Sequence, residues 1–407
     1  MGFLKRWFAA LALTQIVFLL LRSVTTGYRH AQVHRLTELC VVQFVMMLAS
    51  YYFYNYRLYS ITIGLPLTAR KVVRGVFFTI AVASHSAYFM FYIYWLDGTF
   101  VAYWSFVALA FFYHTVVLTL LFYLFELFIE NIAGLNDIPL LTSRTLHTMI
   151  AIVFAFLLTA YGVSVTRSPP SVHSVSLRNK NLQAAFNGFS IALLTDVHIG
   201  PTVGKERIEQ IVDVVNKLNV DSVAISGDLV DSFLDNVRPK AMPLKNLESK
   251  YGTFFASGNH DYYHSSIDQV LTFLKNDLSF FVLHNDASTI TKDGRVLCFA
   301  GVDDLHSNAL FIAGHGVNVE KALAKCPANS TTILLAHQPN LSSMIIRSSK
   351  RPVDLILSGH THGGQFYIFW LMAWLQNAFL RGLYIYVSAG VNYWGPPVKD
   401  AELLRAV

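Results

Sequence analysis

Five apolar runs fill the first 165 residues of the chain, at 7–21, 39–54, 76–95, 100–128 and 147–165. A helix needs roughly 20 mostly apolar residues to cross a bilayer, and inside the hydrocarbon every backbone N–H and C=O must be bonded within the protein. The third and fourth runs meet that length. The short turn Leu96-Asp97-Gly98-Thr99 between them reads as the bend of a helical hairpin. The second run is shorter, and Tyr51, Tyr52, Tyr54 and Tyr56 at its end suit an aromatic belt at the membrane surface. The first follows Lys5 and Arg6 as a signal peptide would, yet residues 19–25 offer no clear small-residue cleavage site. An uncleaved anchor and five spans are therefore expected. The chain is 54% apolar, and the excess belongs to this half; residues 166–407 have an ordinary globular composition.

Charge divides along the same line. Up to residue 165 there are ten Lys/Arg against five Asp/Glu, leaving twenty-one against twenty beyond it. Nucleic-acid binding needs clustered basic charge on the folded half, which is nearly neutral, so no such partner is expected. Lys5, Arg6, Arg57, Arg70, Lys71, Arg74 and Arg144 fall on one side of the spans, and Arg22, Arg29 and Arg35 on the other. By the positive-inside bias the N-terminus is cytosolic and the second half extracytoplasmic or lumenal. Sequons at Asn329 and Asn340 are compatible with that side. Cys40, Cys298 and Cys326 form no Cys-x-x-Cys pair; Cys298 reads most simply as a buried apolar residue, and its pairing with Cys326 in an oxidising compartment stays open. His85 and His114 lie inside the third and fourth runs. They read either as functional intramembrane groups or, by preference, as neutral imidazoles bonded to a neighbouring helix.

Arg167-Ser-Pro-Pro-Ser171 closes the last run, because paired prolines cannot continue a helix. The expected organisation is a multispan membrane domain at 1–166, a linker and leading strand at 167–189, and an α/β domain at 190–407. Strand-like runs at 191–194, 222–225, 253–256, 295–300, 332–335, 354–357 and 383–387 alternate with helical patterns. In one of these, residues 205–218, Ile208, Ile211, Val212, Val215 and Leu218 share a face.

The chemistry follows the strands. Asp196-Val197-His198, Gly227-Asp228-Leu229-Val230-Asp231, Gly258-Asn259-His260-Asp261, Ala336-His337-Gln338-Pro339 and Gly359-His360-Thr361-His362-Gly363-Gly364-Gln365 supply carboxylate, imidazole and amide groups. In open α/β folds the functional crevice lies outside the carboxyl ends of the strands. Asp196 and His198, two apart in extended chain, project to one face and suit a single cation. Imidazole and carboxylate favour Mn, Fe or Zn, and the absence of thiolates argues against a structural zinc site. Singly, each cluster has a plainer reading: Asn-His-Asp closes turns, and a lone His337 is more often a packed residue. In this order, together, they read as a site for divalent metals.

That ordered set resembles the calcineurin-like metallophosphoesterase superfamily, in its Gly-His-Thr-His-Gly-Gly-Gln branch, from about residue 190 to the C-terminus. The resemblance implies a two-sheet β-sandwich flanked by helices, with a two-metal centre at the sheet edge. It implies that Asp196, His198 and His362 hold one cation, that Asn259, His337 and His360 hold the other, and that Asp228 bridges them. His260 would face the phosphoryl group and help the leaving oxygen depart, with Asp231 orienting its ring. The expected activity is hydrolysis of a phosphomonoester or phosphodiester by a metal-bridged hydroxide, two cations clamping the phosphoryl oxygens. Phosphoprotein phosphatases of the superfamily carry Arg where this chain has Ser232 and Glu where it has Asp261, which disfavours a protein phosphatase.

Residues 366–380 carry no charge and are too short to span. They read as a membrane-dipping loop, with Trp370 and Trp374 at headgroup level admitting a lipid-linked or other amphiphilic phosphoester, or, by preference, as a flap packed on the protein. The rival for the whole chain is a transporter or receptor with a regulatory metal-binding domain. Sparse charge and no internal repeat in the spans favour a plain anchor.

Overall fold

The computed structural model describes residues 2–25, 27–132, 135, 138–365, 373–377, 382–383, 386–388 and 390–398. The apolar runs become helices α1 (Gly2–Val24), α2 (Gly27–Tyr52), α3 (Leu67–Ser86), α4 (Phe100–Glu130) and α5 (Arg144–Arg167). Among the described residues, four helical stretches are long and apolar enough to cross a membrane: Arg29–Thr62, Leu67–Tyr92, Phe100–Glu130 and Arg144–Arg167. Within α1, Ala12–Val24 is a shorter apolar stretch. Side-chain caps start two of the helices. Thr99 accepts a hydrogen bond from the Ala102 amide at α4, and Ser143 accepts one from Leu146 at α5.

The third run departs from a plain helix. The α-helix stops at Ser86 and tightens into 3-10 turns at Ala87–Tyr92 and Tyr94–Leu96. Contacts with the second half explain this: the Phe91 ring stacks on Trp394 at 6.1 Å and on His264 at 5.9 Å. Polar groups between the helices find partners. His85 donates from Nδ1 to Gln43 at 2.8 Å and accepts from Ser50 at 2.9 Å, and His114 bonds Thr159 at 3.0 Å. Arg57, in the π-helical turn Phe53–Arg57 that follows α2, meets Glu126 of α4 at 2.8 Å. His147 of α5 donates to the same carboxylate oxygen at 2.9 Å. A buried ion pair of this kind contributes more to register than to net stability.

The second half holds two sheets. Strands β1 (Ile191–Leu194), β2 (Ser222–Ser226), β3 (Thr253–Ala256) and β4 (Phe281–Val282) form a parallel sheet in that order. Strands β5 (Asp286–Lys292), β6 (Arg295–Gly301), β7 (Thr331–Leu335), β8 (Leu355–Ser358), β9 (Gly382–Leu383) and β10 (Tyr386–Val387) form the other, ordered β5-β6-β7-β8-β10-β9. The run expected at 383–387 is thus two short antiparallel strands. The sheets face each other across an apolar layer in which Phe254 and Phe299 stack at 4.2 Å. Ser226 donates from its hydroxyl to the Leu357 carbonyl at 2.9 Å, tying sheet to sheet.

Helix Lys205–Asn216 covers the first sheet with Ile208, Ile211, Val212 and Val215. Leu218 does not join them; it lies past the helix end and is 41% exposed. Cys298 is buried on the outer face of the second sheet, as its sequence context suggests, and is disulfide-bonded to Cys326.

The halves are docked rather than merely linked. Ala31 of α2 is buried in the core that covers the first sheet. At the bend between α3 and α4, Asp97 is 3% exposed and accepts from Lys240 Nζ and the Ser232 hydroxyl, both at 2.5 Å. Near the end of α5, Thr166 donates to the Pro397 carbonyl at 2.9 Å. Removing one partner of such a pair strands the other, so Asp97→Ala is expected to cost about 3 kcal/mol. Thermal unfolding of the full chain in detergent checks this, an unchanged midpoint showing that the contact carries no weight.

Candidate metal centre

Adjacent parallel strands β1, β2 and β3 bring three of the five clusters to one sheet edge, and β7 and β8 bring the other two. The backbone there is bent into an uncommon form. Asp196, His198, Asp228, His360 and His362 have φ between 49° and 72°. Each such residue costs of order 1–3 kcal/mol, and strain of this kind gathers at functional sites. Glycine makes room for the carboxylates: a Cβ on Gly258 would strike Asp228, and one on Gly359 would strike Asp196.

Backbone amides hold the carboxylates. Asp196 accepts from the His360 N–H at 3.0 Å, and Asp228 accepts through Oδ1 from the His260 N–H at 2.8 Å. The carboxylate oxygens also meet imidazoles. Asp196 Oδ1 lies 3.4 Å from His362 Nε2, which lies 3.0 Å from His198 Nε2. Asp228 Oδ2 lies 3.1 Å from His337 Nε2 and 3.8 Å from His198 Nε2. His337 donates from Nδ1 to the Ser226 carbonyl at 2.8 Å, which fixes the ring with Nε2 turned toward Asp228. Asp196, His198 and His362 therefore form one group of converging donors, and Asp228, His337 and His360 a second. Asn259 donates from Nδ2 to Tyr263 at 3.0 Å, while its buried Oδ1 has no hydrogen-bond partner among the described residues. A carbonyl oxygen left bare in a buried site suits a cation, and this donor set fits two divalent metals.

His260 and Asp231 sit one step away. His260 donates from Nδ1 to Asp231 at 2.7 Å, and Asp231 also faces His198 Nδ1 and His264 Nε2, each at 3.5 Å. One carboxylate thus fixes several rings. The charges reflect this crowding. Burial alone would raise Asp228, but His337 and His260 hold it well below the usual carboxylate range. Asp231 is held low in the same way against burial, chiefly by His260. His360 is pushed down to about 4 by burial and by His337.

Several contributors were not legible in the sequence. Asp261 accepts the amides of Gly258 and Val230, both at 2.8 Å, and those of Leu229 at 3.0 Å and Asp228 at 3.1 Å. It stitches the two Gly-led loops together. Burial and the Asp228 charge push its carboxyl up to about 7, against the pull of those amides. Gln365 donates to the carbonyls of Trp394, Pro396 and Val398 and accepts the Trp394 amide at 3.0 Å, so the motif's last residue pins the segment that sets Trp394 5.5 Å from His260. Trp370 and most of 366–380 lie outside the described residues; Trp374 and Leu375 are exposed.

Residues 189–364 match the family model of the calcineurin-like phosphoesterases. A Caenorhabditis elegans protein named as a metallophosphoesterase is 41% identical over 333 residues, covering 78% of this chain and 69% of the worm protein. The chain belongs to the calcineurin-like metallophosphoesterase family. The worm match is longer than residues 190–407, so the likeness runs on into the apolar helices of the first half. A Danio rerio protein named "transmembrane protein with metallophosphoesterase domain" is 38% identical over 267 residues, covering 63% of this chain and 60% of that protein. An "uncharacterized metallophosphoesterase" of Helicobacter pylori strain J99 is 42% identical over 218 residues, covering 51% of this chain and 56% of the bacterial one. The metallophosphoesterase loops depend on Asp261 as their clasp. Asp261→Ala leaves buried amides without an acceptor and is expected to cost about 3 kcal/mol or more. A melting curve of the full chain measures it, and wild-type stability would show that the loops hold without the clasp.

Proposed function

We propose that the chain is a membrane-anchored two-metal phosphoesterase acting on phosphomonoesters or phosphodiesters, amphiphilic ones included. The observation that carries this reading is Asp228, whose Oδ2 stands between His337 of one donor group and His198 of the other. In the proposed assignment Asp196, His198 and His362 hold one cation, Asn259, His337 and His360 the second, and Asp228 both, with Mn, Fe or Zn as the metals. Bound there, the pair would neutralise the phosphoryl oxygens and make water acidic enough to attack near neutral pH.

The protein's own part is proton handling and orientation. Asp231 accepts the Nδ1 proton of His260, so Nε2 is the nitrogen left to face the ester oxygen that departs. Burial lowers the His260 pKa, against the pull of Asp231 and Asp228. The helical half, 1–166, serves as the anchor, 167–189 as the linker, and 190–407 as the catalytic domain. Amphiphilic substrates are favoured because the helix ends meet the catalytic half beside the centre, where Phe91 stacks on Trp394.

An extracytoplasmic or lumenal catalytic domain is supported by the Cys298–Cys326 pair, since disulfides persist in oxidising compartments. Asn329, three residues beyond Cys326, is exposed, whereas Asn340 is half-buried and bonds the Gln376 carbonyl at 3.0 Å. Expression in a eukaryotic cell should give a glycosidase-sensitive band shift that Asn329→Gln abolishes. A chain with no glycan and two reduced thiols would put the domain on the cytosolic side.

Activity is tested with the Mn-supplemented full chain against phosphomonoesters, phosphodiesters and phospholipids. Asp228→Asn should lose both metal and turnover. His260→Ala should keep its metal while kcat falls roughly 10²–10⁴-fold. Equal turnover by wild type and Asp228→Asn would mark the activity as a contaminant's.

A further inference from the structure

The membrane half reaches the metal centre through a cation. Arg35, on the N-terminal part of α2, lays its guanidinium 4.0 Å from the ring centroid of Tyr263. Tyr263 accepts the Asn259 amide N–H at 3.0 Å and lies 4.9 Å, ring to ring, from His260. It therefore touches both a proposed metal ligand and the proposed proton donor. Next to Arg35, His34 stacks on His306 at 5.2 Å, and His306 lies 5.4 Å from Tyr263. His260 is also met by Trp394, 5.5 Å ring to ring, whose Nε1 is buried with no hydrogen-bond partner among the described residues. Residues of both halves thus gather around His260, with Tyr263 and Trp394 on its ring and Arg35 on Tyr263.

A phosphoester keeps negative charge on oxygens that do not react, and charged N–H donors hold such oxygens best. The catalytic half has committed its nearby candidates elsewhere. Lys240 is bound to Asp97 and to the Gly200 carbonyl, and Ser232 donates to Asp97. Arg35 has five N–H donors; Glu38 takes one at 2.7 Å and Tyr92 also bonds the side chain, which leaves others for a ligand. Those contacts and the Tyr263 ring fix the guanidinium in place, while the side chain stays 20% exposed. It is a held, positively charged group whose side chain is partly open to solvent.

We propose that Arg35 is the phosphate-recognition residue of this site, gripping a non-reacting oxygen of a phosphoester seated between Tyr263 and Trp394. The proposal rests on the two-metal phosphoesterase reading above. It makes the membrane half part of the substrate site, so substrate affinity belongs to the whole chain and not to the catalytic half alone.

The test uses the full chain in nanodiscs with Mn, as wild type, Arg35→Gln and Arg35→Lys. Steady-state kinetics are taken with p-nitrophenyl phosphate and bis-p-nitrophenyl phosphate, and binding of inorganic phosphate is measured by calorimetry. Arg35→Gln is expected to raise KM and the phosphate Kd about tenfold or more, with kcat within about threefold and metal content unchanged, and Arg35→Lys to recover part of the loss. Unchanged KM and Kd in metal-replete Arg35→Gln would overturn the proposal. So would a lower melting temperature, equal with and without phosphate and accompanied by no change in KM, which marks a purely packing role. Should wild type hydrolyse neither ester yet bind phosphate in an Arg35-dependent way, the hydrolase reading falls and the recognition role stands.

Discussion

Three carboxylates kept close together away from water set the terms for the second half. Asp196, Asp228 and Asp231 are each no more than 2% exposed. A buried charge without a partner costs several kcal/mol, so the surrounding structure must answer each one. Backbone amides answer Asp196, whose two oxygens share the His360 N–H, and one oxygen of Asp228, and imidazole N–H groups answer Asp231. What remains are oxygens and nitrogens pointed at one another, an arrangement that only positive charge between them relieves. The left-handed turns follow from this demand. Ordinary extended chain leaving a strand carries its side chains to alternate faces, whereas the bent form lets each cluster turn its donors inward.

The same edge is where the two halves meet. Asp97, at the bend between α3 and α4, holds Ser232, the neighbour of Asp231. Ser232 is one of the two positions read in the sequence as departures from the phosphoprotein phosphatases, and its hydroxyl is used for docking. The space next to it belongs to the helical half, which brings Phe91, Tyr92 and Arg35 to the centre's surroundings. The helical half and the second half thus meet at the candidate metal centre.

Much of this was legible in residue order and some of it was not, for physical reasons. Strands β1 and β3 are short apolar runs ending at ligand clusters, and their limits are plain in the sequence. Strand β4 has only Phe281 and Val282, too few to carry a pattern, and in β5 Ile290 alone is buried, so no apolar alternation marks it. The ligand motifs were visible because their spacing is local. Asp261 as a clasp was not, because its role depends on four amides drawn from two loops. Arg35 read as one more basic residue beside a span, since nothing nearby in sequence announces Tyr263. The tightening of the third run at Ala87–Tyr92 likewise depends on aromatic partners from the far end of the chain.

The docking of Ala31, Asp97 and Thr166 onto the second half has a bearing on how the molecule is made. Synthesis runs from the N-terminus, so the bundle of helices exists before the sandwich leaves the ribosome, and the sandwich closes against a template already embedded in lipid. A soluble fragment begun at the Pro169-Pro170 linker would lack that template and would bare the aromatic face around Trp394 to water. Such a fragment is a different object from the same residues in the whole protein, and the most natural unit for purification is the uncut chain.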